Sequence, residues 1–359
     1  MRIVDLSTSR FASPLLAPFV TALGTVTTVE GVVVRVRDDE GRLGTGEGVA
    51  TVPITGDTVE SIEAALQGPI RAAVIGGRTD ELSPLLASVG NAIVGNFGAK
   101  AAIDIALHDL WSQWLERPLY RLLGGSRSQV TTDMTISVGS PDEMGAAARR
   151  RLAEGFDCLK VKLGGPIELD LARVRAVRSA VGAAASIRVD ANQAWLPKEA
   201  ITVIRRFEDE DLAVMLVEQP VAGRDFEGLA QVTAAVATPI MADESCFTPK
   251  DALRLVQGRA ADALNVKLMK CGGIGPALEI AAIAASAEIA CAVGCMMEGM
   301  ASSTAAACLA GGVVTISSVD LDAPLWLRDP RYSDVARWSG QDIILGEEPG
   351  LGTGSGEPV

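Results

Sequence analysis

Histidine is nearly absent from this chain: one residue, His108, among 359. A serine or cysteine nucleophile activated by histidine is therefore disfavoured, since the lone base falls in the first of the two regions distinguished below. Cationic charge is also in deficit, with 32 Lys and Arg against 45 Asp and Glu, a formal net charge of −13. Such a surface repels phosphate backbones and anionic lipid heads, so neither nucleic acid nor membrane is expected as a partner. Six cysteines (158, 246, 271, 291, 295 and 308) include no CxxC pair, and they read as reduced thiols of a cytoplasmic protein, not zinc ligands. The opening MRIVDLSTSRF lacks the apolar stretch of a signal peptide, in keeping with that location. No long apolar run exists either. The most apolar stretch, Pro276 to Met297, is broken by Glu279, Glu288 and Gly294 and reads as a helix running into a strand.

Hydrophobic residues are nonetheless 48% of the chain, enough for a large buried core. Two styles of sequence are visible. Residues 1–125 carry β-rich segments (Thr27–Arg37, Gly41–Gly48) and then two with helical apolar spacing (Val59–Ala73, Asn96–Leu115), as an α+β domain would. In the second helical segment Ile103, Ala106, Leu107, Leu110, Trp111 and Trp114 form the inner stripe. His108 falls with Asp104 and Ser112 near the polar side, as a partly exposed structural residue. From 126 to 328 short β-branched runs alternate with helical stretches. The runs are Thr132–Val138, Cys158–Leu163, Ser186–Asp190, Val214–Glu218, Pro239–Asp243, Ala263–Lys267, Ile289–Cys295 and Thr315–Asp320. Eight repeats of this βα length predict a (β/α)₈ barrel, with an open doubly wound sheet as the alternative. The Gly- and Pro-rich segment 329–359 is expected to return to the N-terminal capping domain.

The strand ends carry the chemistry. Lys160 and Lys162 end the second run, Asp190 the third, Glu218 the fourth, Asp243 the fifth and Lys267 the sixth. C-terminal strand ends of a barrel converge on one mouth, where active sites lie. Three carboxylates gathered there repel one another unless a cation neutralises them, and hard oxygen donors suit Mg²⁺. The period-2 geometry of a strand turns Lys160 and Lys162 to the same face, and Lys267 arrives from across the metal. A carboxylate substrate between them would have a lysine on each face of its α-carbon, an arrangement for moving a proton there. Each charge alone has a blander reading, as a helix cap or a solvated strand edge. Five successive apolar strands that each end in charge do not fit those readings.

With these residues in place, the chain resembles the enolase superfamily in its muconate-lactonising branch. The likeness rests on Thr55–Thr58 (TGDT), Ala106–Trp111 (ALHDLW), Leu122–Gly125 (LLGG), KVK, VDANQAW, VEQP, ADES and NVKLMKCGG, and spans nearly the whole chain. It implies that Lys162 and Lys267 are the acid/base pair, that Lys160 helps hold the substrate carboxylate, and that one Mg²⁺ sits on Asp190, Glu218 and Asp243. Asp320-Leu321-Asp322 is similar to the DxD pair by which dipeptide epimerases hold a substrate ammonium, and Thr132–Ser137 (TDMTIS) is similar to their first barrel strand. A pair of aspartates suits a cationic substrate end and not the anions used by other branch members. Thr135, Phe19, Gly24 and Met297 complete the substrate-contacting set.

One departure bears on specificity. Where L-Ala-L-Glu epimerases carry an arginine that pairs with the substrate glutamate, this chain has Gly24. A mobile loop around Leu15–Gly24, with Thr51–Thr55, would offer mostly apolar groups, so the second residue of the dipeptide is expected to be neutral or hydrophobic and not Glu. The alternatives are an N-acylamino-acid racemase or o-succinylbenzoate synthase of the same superfamily, an inactive paralogue, and a hydrolytic metal barrel. A symmetric homo-oligomer is the expected assembly.

Overall fold

The computed structural model describes residues 1–125, 127–328 and 335–353. The chain opens with an antiparallel meander of β1 (Ile3–Thr21), β2 (Gly24–Asp38) and β3 (Leu43–Val49). The valines of β2 from Val29 to Val36 are buried on both faces of the sheet. Val32, Val34 and Val36 pack with the helices of the capping domain, while Val29 and Val33 face the main core.

The helix Phe97–Trp114 lies directly on β3. Gly44, Gly46 and Gly48 share one face of that strand, and a Cβ on any of them would run into the carbonyl of Ala106, Ala102 or Gly98. Removing side chains at alternate positions is what lets the two backbones touch. Sandwiched in this way, the helix is buried around most of its circumference. His108 is accordingly only 3% exposed, not partly exposed as its helical position suggested. Its Nδ1 lies 2.9 Å from the Asp104 carbonyl and 3.1 Å from Asp104 Oδ1.

The first expected helix, Val59–Ala73, is interrupted: Val59–Ala65 is followed by a wider turn over Leu66–Ile70, then Arg71–Val74. Gly68 leaves helical dihedrals and Pro69 supplies no N–H, which breaks the ladder there.

A short strand β4 (Gln129–Thr131) precedes the barrel strands. These are β5 (Met134–Ile136), β6 (Cys158–Lys162), β7 (Ser186–Asp190), β8 (Val214–Glu218), β9 (Ile240–Ala242), β10 (Ala263–Lys267), β11 (Ala290–Gly294) and β12 (Ile316–Asp320). All neighbours pair parallel in chain order. The seam is bridged where the Asp133 N–H donates to the Val319 carbonyl at 3.3 Å and the Leu321 N–H to Thr132 Oγ1 at 2.7 Å. The sheet is therefore a nearly closed barrel, not an open one.

Two connecting helices begin with side-chain caps the sequence supplies in plain form, Ser140-Pro141 with Glu143 and Thr248-Pro249 with Asp251. Strands β13 (Arg337–Ser339) and β14 (Asp342–Ile344) form a small sheet with β4. Beyond them the Leu351 N–H and the Thr353 hydroxyl donate to the Asp109 carboxylate of the long helix, at 2.8 and 3.1 Å. Residues 329–334 and 354–359 of the expected closing segment lie outside the described residues.

Glu47 is one of the ties between the two domains. Glu47 on β3 accepts the N–H groups of Ala301 and Ser302 at 2.9 and 3.1 Å, capping the first turn of the barrel helix Met300–Gly312.

Candidate active site

Strand register sets the level of each charged group. Lys162 pairs with Asp190 and Asp190 with Glu218; on the far side Lys267 pairs with Gly294 and Gly294 with Asp320. Lys160 sits one inward position deeper, beside Thr135. Parallel pairing thus turns positions scattered over the sequence into one ring at the barrel mouth.

The side chains close on each other within that ring. Lys160 Nζ lies 2.7 Å from Asp320 Oδ2, 2.7 Å from Glu218 Oε2 and 3.0 Å from Asp190 Oδ2. Lys162 Nζ is 2.6 Å from Asp190 Oδ2, and Lys267 Nζ is 2.8 Å from Asp243 Oδ2. All three lysines and all four carboxylates are buried. Burial penalises each charge, but mutual attraction more than offsets it at several positions. Lys160 is driven well above its ordinary range by Asp320, Glu218 and Asp190 despite its burial. Lys267 is also raised, with burial overcome by Asp243. Asp243 and Asp320 are held below the usual carboxylate range, burial in each case being outweighed by the lysines. Glu218 goes the other way, pushed up to about 7 by burial and by the neighbouring Asp190 charge.

Asp190, Glu218 and Asp243 each offer one oxygen within 4.8 Å of the others. They are buried, mutually repelling, and include a carboxyl pushed up by burial and by that repulsion. A three-oxygen set of this kind fits a hard divalent cation.

The capping domain roofs the mouth. The segment expected as a loop around Leu15–Gly24 is instead the tip of the β1–β2 hairpin, paired on both sides of a bulge between Pro14 and Phe19. Cross-strand pairing on either side of the bulge orders the segment as strand. At the tip Gly24 takes φ +144° with open space around its Cα, a backbone state that L side chains rarely adopt. Phe19 stacks edge-on against Trp326 at 5.1 Å and faces Lys162 Nζ at 5.9 Å from its ring centroid.

One cavity joins the two domains. Thr135, Lys160, Lys162, Lys267, Asp320 and Asp322 line its floor, and Phe19, Gly24 and Met297 line its roof and wall. Leu23, Val26 and Ile54 add apolar surface and Glu30 a carboxylate. No arginine is among the described lining residues. Asp322 is fixed from behind, its Oδ2 accepting the Thr135 N–H at 2.8 Å and Trp326 Nε1 at 3.0 Å. Burial and the adjacent Asp320 charge raise its carboxyl above the ordinary value.

Sequence reasoning assigned no role to Lys270, Asn265 or Asn192. Lys270 Nζ lies 2.5 Å from Asp243 Oδ1, and Asn265 Nδ2 donates to Glu218 Oε1 at 2.9 Å. The signal was available for Lys270: a charged residue inside the apolar turn Leu268–Cys271, three positions past a strand-end lysine.

Comparison with known proteins agrees with this architecture. Residues 5–124 match the mandelate racemase / muconate lactonizing enzyme N-terminal domain, and residues 143–356 match the enolase C-terminal domain-like family. The chain belongs to the mandelate racemase/muconate lactonizing enzyme family of the enolase superfamily. It is 46% identical to the L-Ala-D/L-Glu epimerase of Bacillus subtilis over 98% of this chain and 96% of that protein. It is 43% identical to the hydrophobic dipeptide epimerase of Enterococcus faecalis, over 93% of this chain and 94% of that protein. The substrate-liganded structure of the B. subtilis enzyme superposes with a TM-score of 0.97, covering 98% of each chain. The E. faecalis dipeptide epimerase, complexed with Mg and L-Leu-L-Tyr, is 42% identical with a TM-score of 0.94, covering 98% of this chain and 99% of that one. These relatives are epimerases, isomerases that act on amino-acid derivatives.

Proposed function

We propose that this isomerase epimerises dipeptides at the α-carbon of the C-terminal residue, with one Mg²⁺ held by Asp190, Glu218 and Asp243. The observation that carries the reading is a single cavity with Lys162 and Lys267 among its walls and the Asp320–Asp322 pair on its floor. When bound, the metal supplies positive charge to the substrate carboxylate as its α-carbon loses a proton.

The chain's own residues do the rest. Lys162 and Lys267 come from β6 and β10, separated by the strands that bear the carboxylates, so a substrate α-carbon between them has one amine on each face. One removes the proton and the other returns it from the opposite side, which inverts the centre. Lys267 lies 2.8 Å from Asp243 Oδ2, so its readiness to give or take a proton follows the charge on that carboxylate. Lys160 adds a second cation for the carboxylate. Asp320 and Asp322 accept the ammonium of the N-terminal residue, and Phe19 with the hairpin tip keeps water from the reacting carbon.

The side-chain subsite is built for a neutral, apolar second residue. Leu23, Val26, Ile54 and Met297 offer no cation to a glutamate side chain, and Glu30 would repel one. The Gly24 backbone conformation does not suit an arginine at the hairpin tip. The test is a set of L-Ala-L-Xaa dipeptides followed by chiral chromatography of the hydrolysed products. Inversion of C-terminal Leu, Met or Tyr ahead of Glu is expected; Ala-Glu as much the best substrate would refute the subsite. Reduced cysteines and the acidic surface support a cytoplasmic protein, which we take to be a homo-oligomer.

A further inference from the structure

Each carboxylate of the triad has one oxygen turned to the lysines and the other tied from behind. Asp190 Oδ2 faces Lys162 while its Oδ1 accepts the Asn192 N–H at 2.9 Å. Glu218 Oε2 faces Lys160 while its Oε1 accepts Asn265 Nδ2 at 2.9 Å. Asp243 Oδ2 faces Lys267 while its Oδ1 lies 2.5 Å from Lys270 Nζ. The three rear partners are a backbone amide, a carboxamide and an ammonium. Only the last is charged, and the proton transfer has no use for it.

Lys270 has no exposed surface and stands outside the cavity lining. Its ammonium donates to the carbonyls of Asp243 and of Asn265, the latter at 3.0 Å. Its approach to Asp243 Oδ1 is a charge contact more than a directed hydrogen bond, since that oxygen has no partner of hydrogen-bond geometry. An ammonium has three donors and no acceptor; two go to main-chain carbonyls, and the charge stays beside Asp243 Oδ1.

We propose that Lys270 is a positioning residue that holds Asp243 as a one-oxygen ligand and so sets the preference of the triad for Mg²⁺ over Ca²⁺. The inference rests on reading the triad as the Mg²⁺ site. Mg²⁺ is small and octahedral and is satisfied by one oxygen from each carboxylate with other ligands making up six. Ca²⁺ takes six to eight oxygens and readily accepts both from one carboxylate. Tying the second oxygen withholds the extra ligands that favour Ca²⁺. The Lys270 charge itself weakens both cations alike, so the ratio of affinities, and not either affinity, reports the positioning.

Calorimetric titration of Mg²⁺ and of Ca²⁺ into the wild-type chain and Lys270→Met tests this, with circular dichroism to check folding. The Ca²⁺-to-Mg²⁺ dissociation-constant ratio is expected to fall about tenfold in the variant, the scale on which partners of metal ligands act. If Lys270→Met does not fold, Lys270→Gln, uncharged and one atom shorter, should show the same fall. An unchanged ratio in a folded variant overturns the proposal, even where both affinities move together. Wild-type protein that takes up neither ion would overturn the metal reading first, and this inference with it.

Discussion

The Lys160 ammonium and Asp320 Oδ2 lie 2.7 Å apart, although β6 and β12 stand near opposite ends of the sheet order. They meet because the sheet curls closed, and the contact joins the side of the pocket proposed to hold the substrate carboxylate to the side proposed to hold its ammonium. Replacing Asp320 by Asn keeps the shape and removes the charge. For free dipeptides kcat/KM is expected to fall by about tenfold to a hundredfold, the worth of one hydrogen bond to a charged group. N-acyl amino acids, which carry no ammonium, should respond little. Equal losses on both substrate types would contradict the assignment.

Lys162 and Lys267 approach from different strands, and in the proposed mechanism each serves one face of the α-carbon. Lys162→Ala and Lys267→Ala should each lower epimerisation by about 10²- to 10⁴-fold, the usual reach of a general acid or base. The two variants should differ in what survives: each retains solvent exchange with one epimer of the C-terminal residue and loses it with the other. Nuclear magnetic resonance of the α-proton with L,L and L,D substrates separates the cases. Loss of exchange with both epimers in both variants would argue against two opposed lysines.

Glu298 carries a stability signature that does not depend on catalysis. It is 1% exposed, its Oε2 has no hydrogen-bond partner, and burial pushes its carboxyl from an ordinary 4.5 up to about 8. Between those values the folded chain holds a proton that the unfolded chain has lost. The stability this contributes is fully present below pH 4.5 and disappears as pH rises through about 8. Glu298→Gln is neutral throughout and removes the dependence. Urea denaturation at pH 5 and pH 9 should show the variant gaining on wild type at the higher pH by more than about 1.4 kcal/mol, the value of one pKa unit. A constant difference across that range would mean Glu298 is ionised in the folded protein.

The contact of β3 with the long helix can be tested through its glycines. Gly46→Ala places a methyl against the Ala102 carbonyl and should cost about 1–3 kcal/mol, as overpacking does. Thermal melts would register this as a lower Tm. An unchanged Tm would show that the helix can lift off the strand without penalty.

Most of the barrel was legible because a parallel barrel writes itself twice into its sequence. Each strand is a short apolar run, and each functional strand ends in charge. Cys158–Lys162, Ser186–Asp190 and Ala263–Lys267 show both marks, and their observed bounds depart little from those expected. The capping domain was harder to read, since its pairing is set by contacts distant in sequence. Pro14 and Pro18 resemble loop punctuation, yet the hairpin accommodates them by a bulge. His108 sits where helical periodicity predicts a polar side, but the barrel covers that side too. Lys270 stands out in the sequence as a charge in an apolar turn, but its partner Asp243 meets it only through the register of β9 and β10. Pairwise spacing along the chain does not encode that meeting.

The most direct test of the proposed chemistry is incubation of the protein with Mg²⁺ and a mixed library of L,L-dipeptides in D₂O, read by mass spectrometry. One deuterium should enter the C-terminal residue of dipeptides with neutral, apolar second residues. Exchange into N-succinyl or other N-acyl amino acids, with none into any dipeptide, would contradict the dipeptide assignment while leaving the two-lysine chemistry in place.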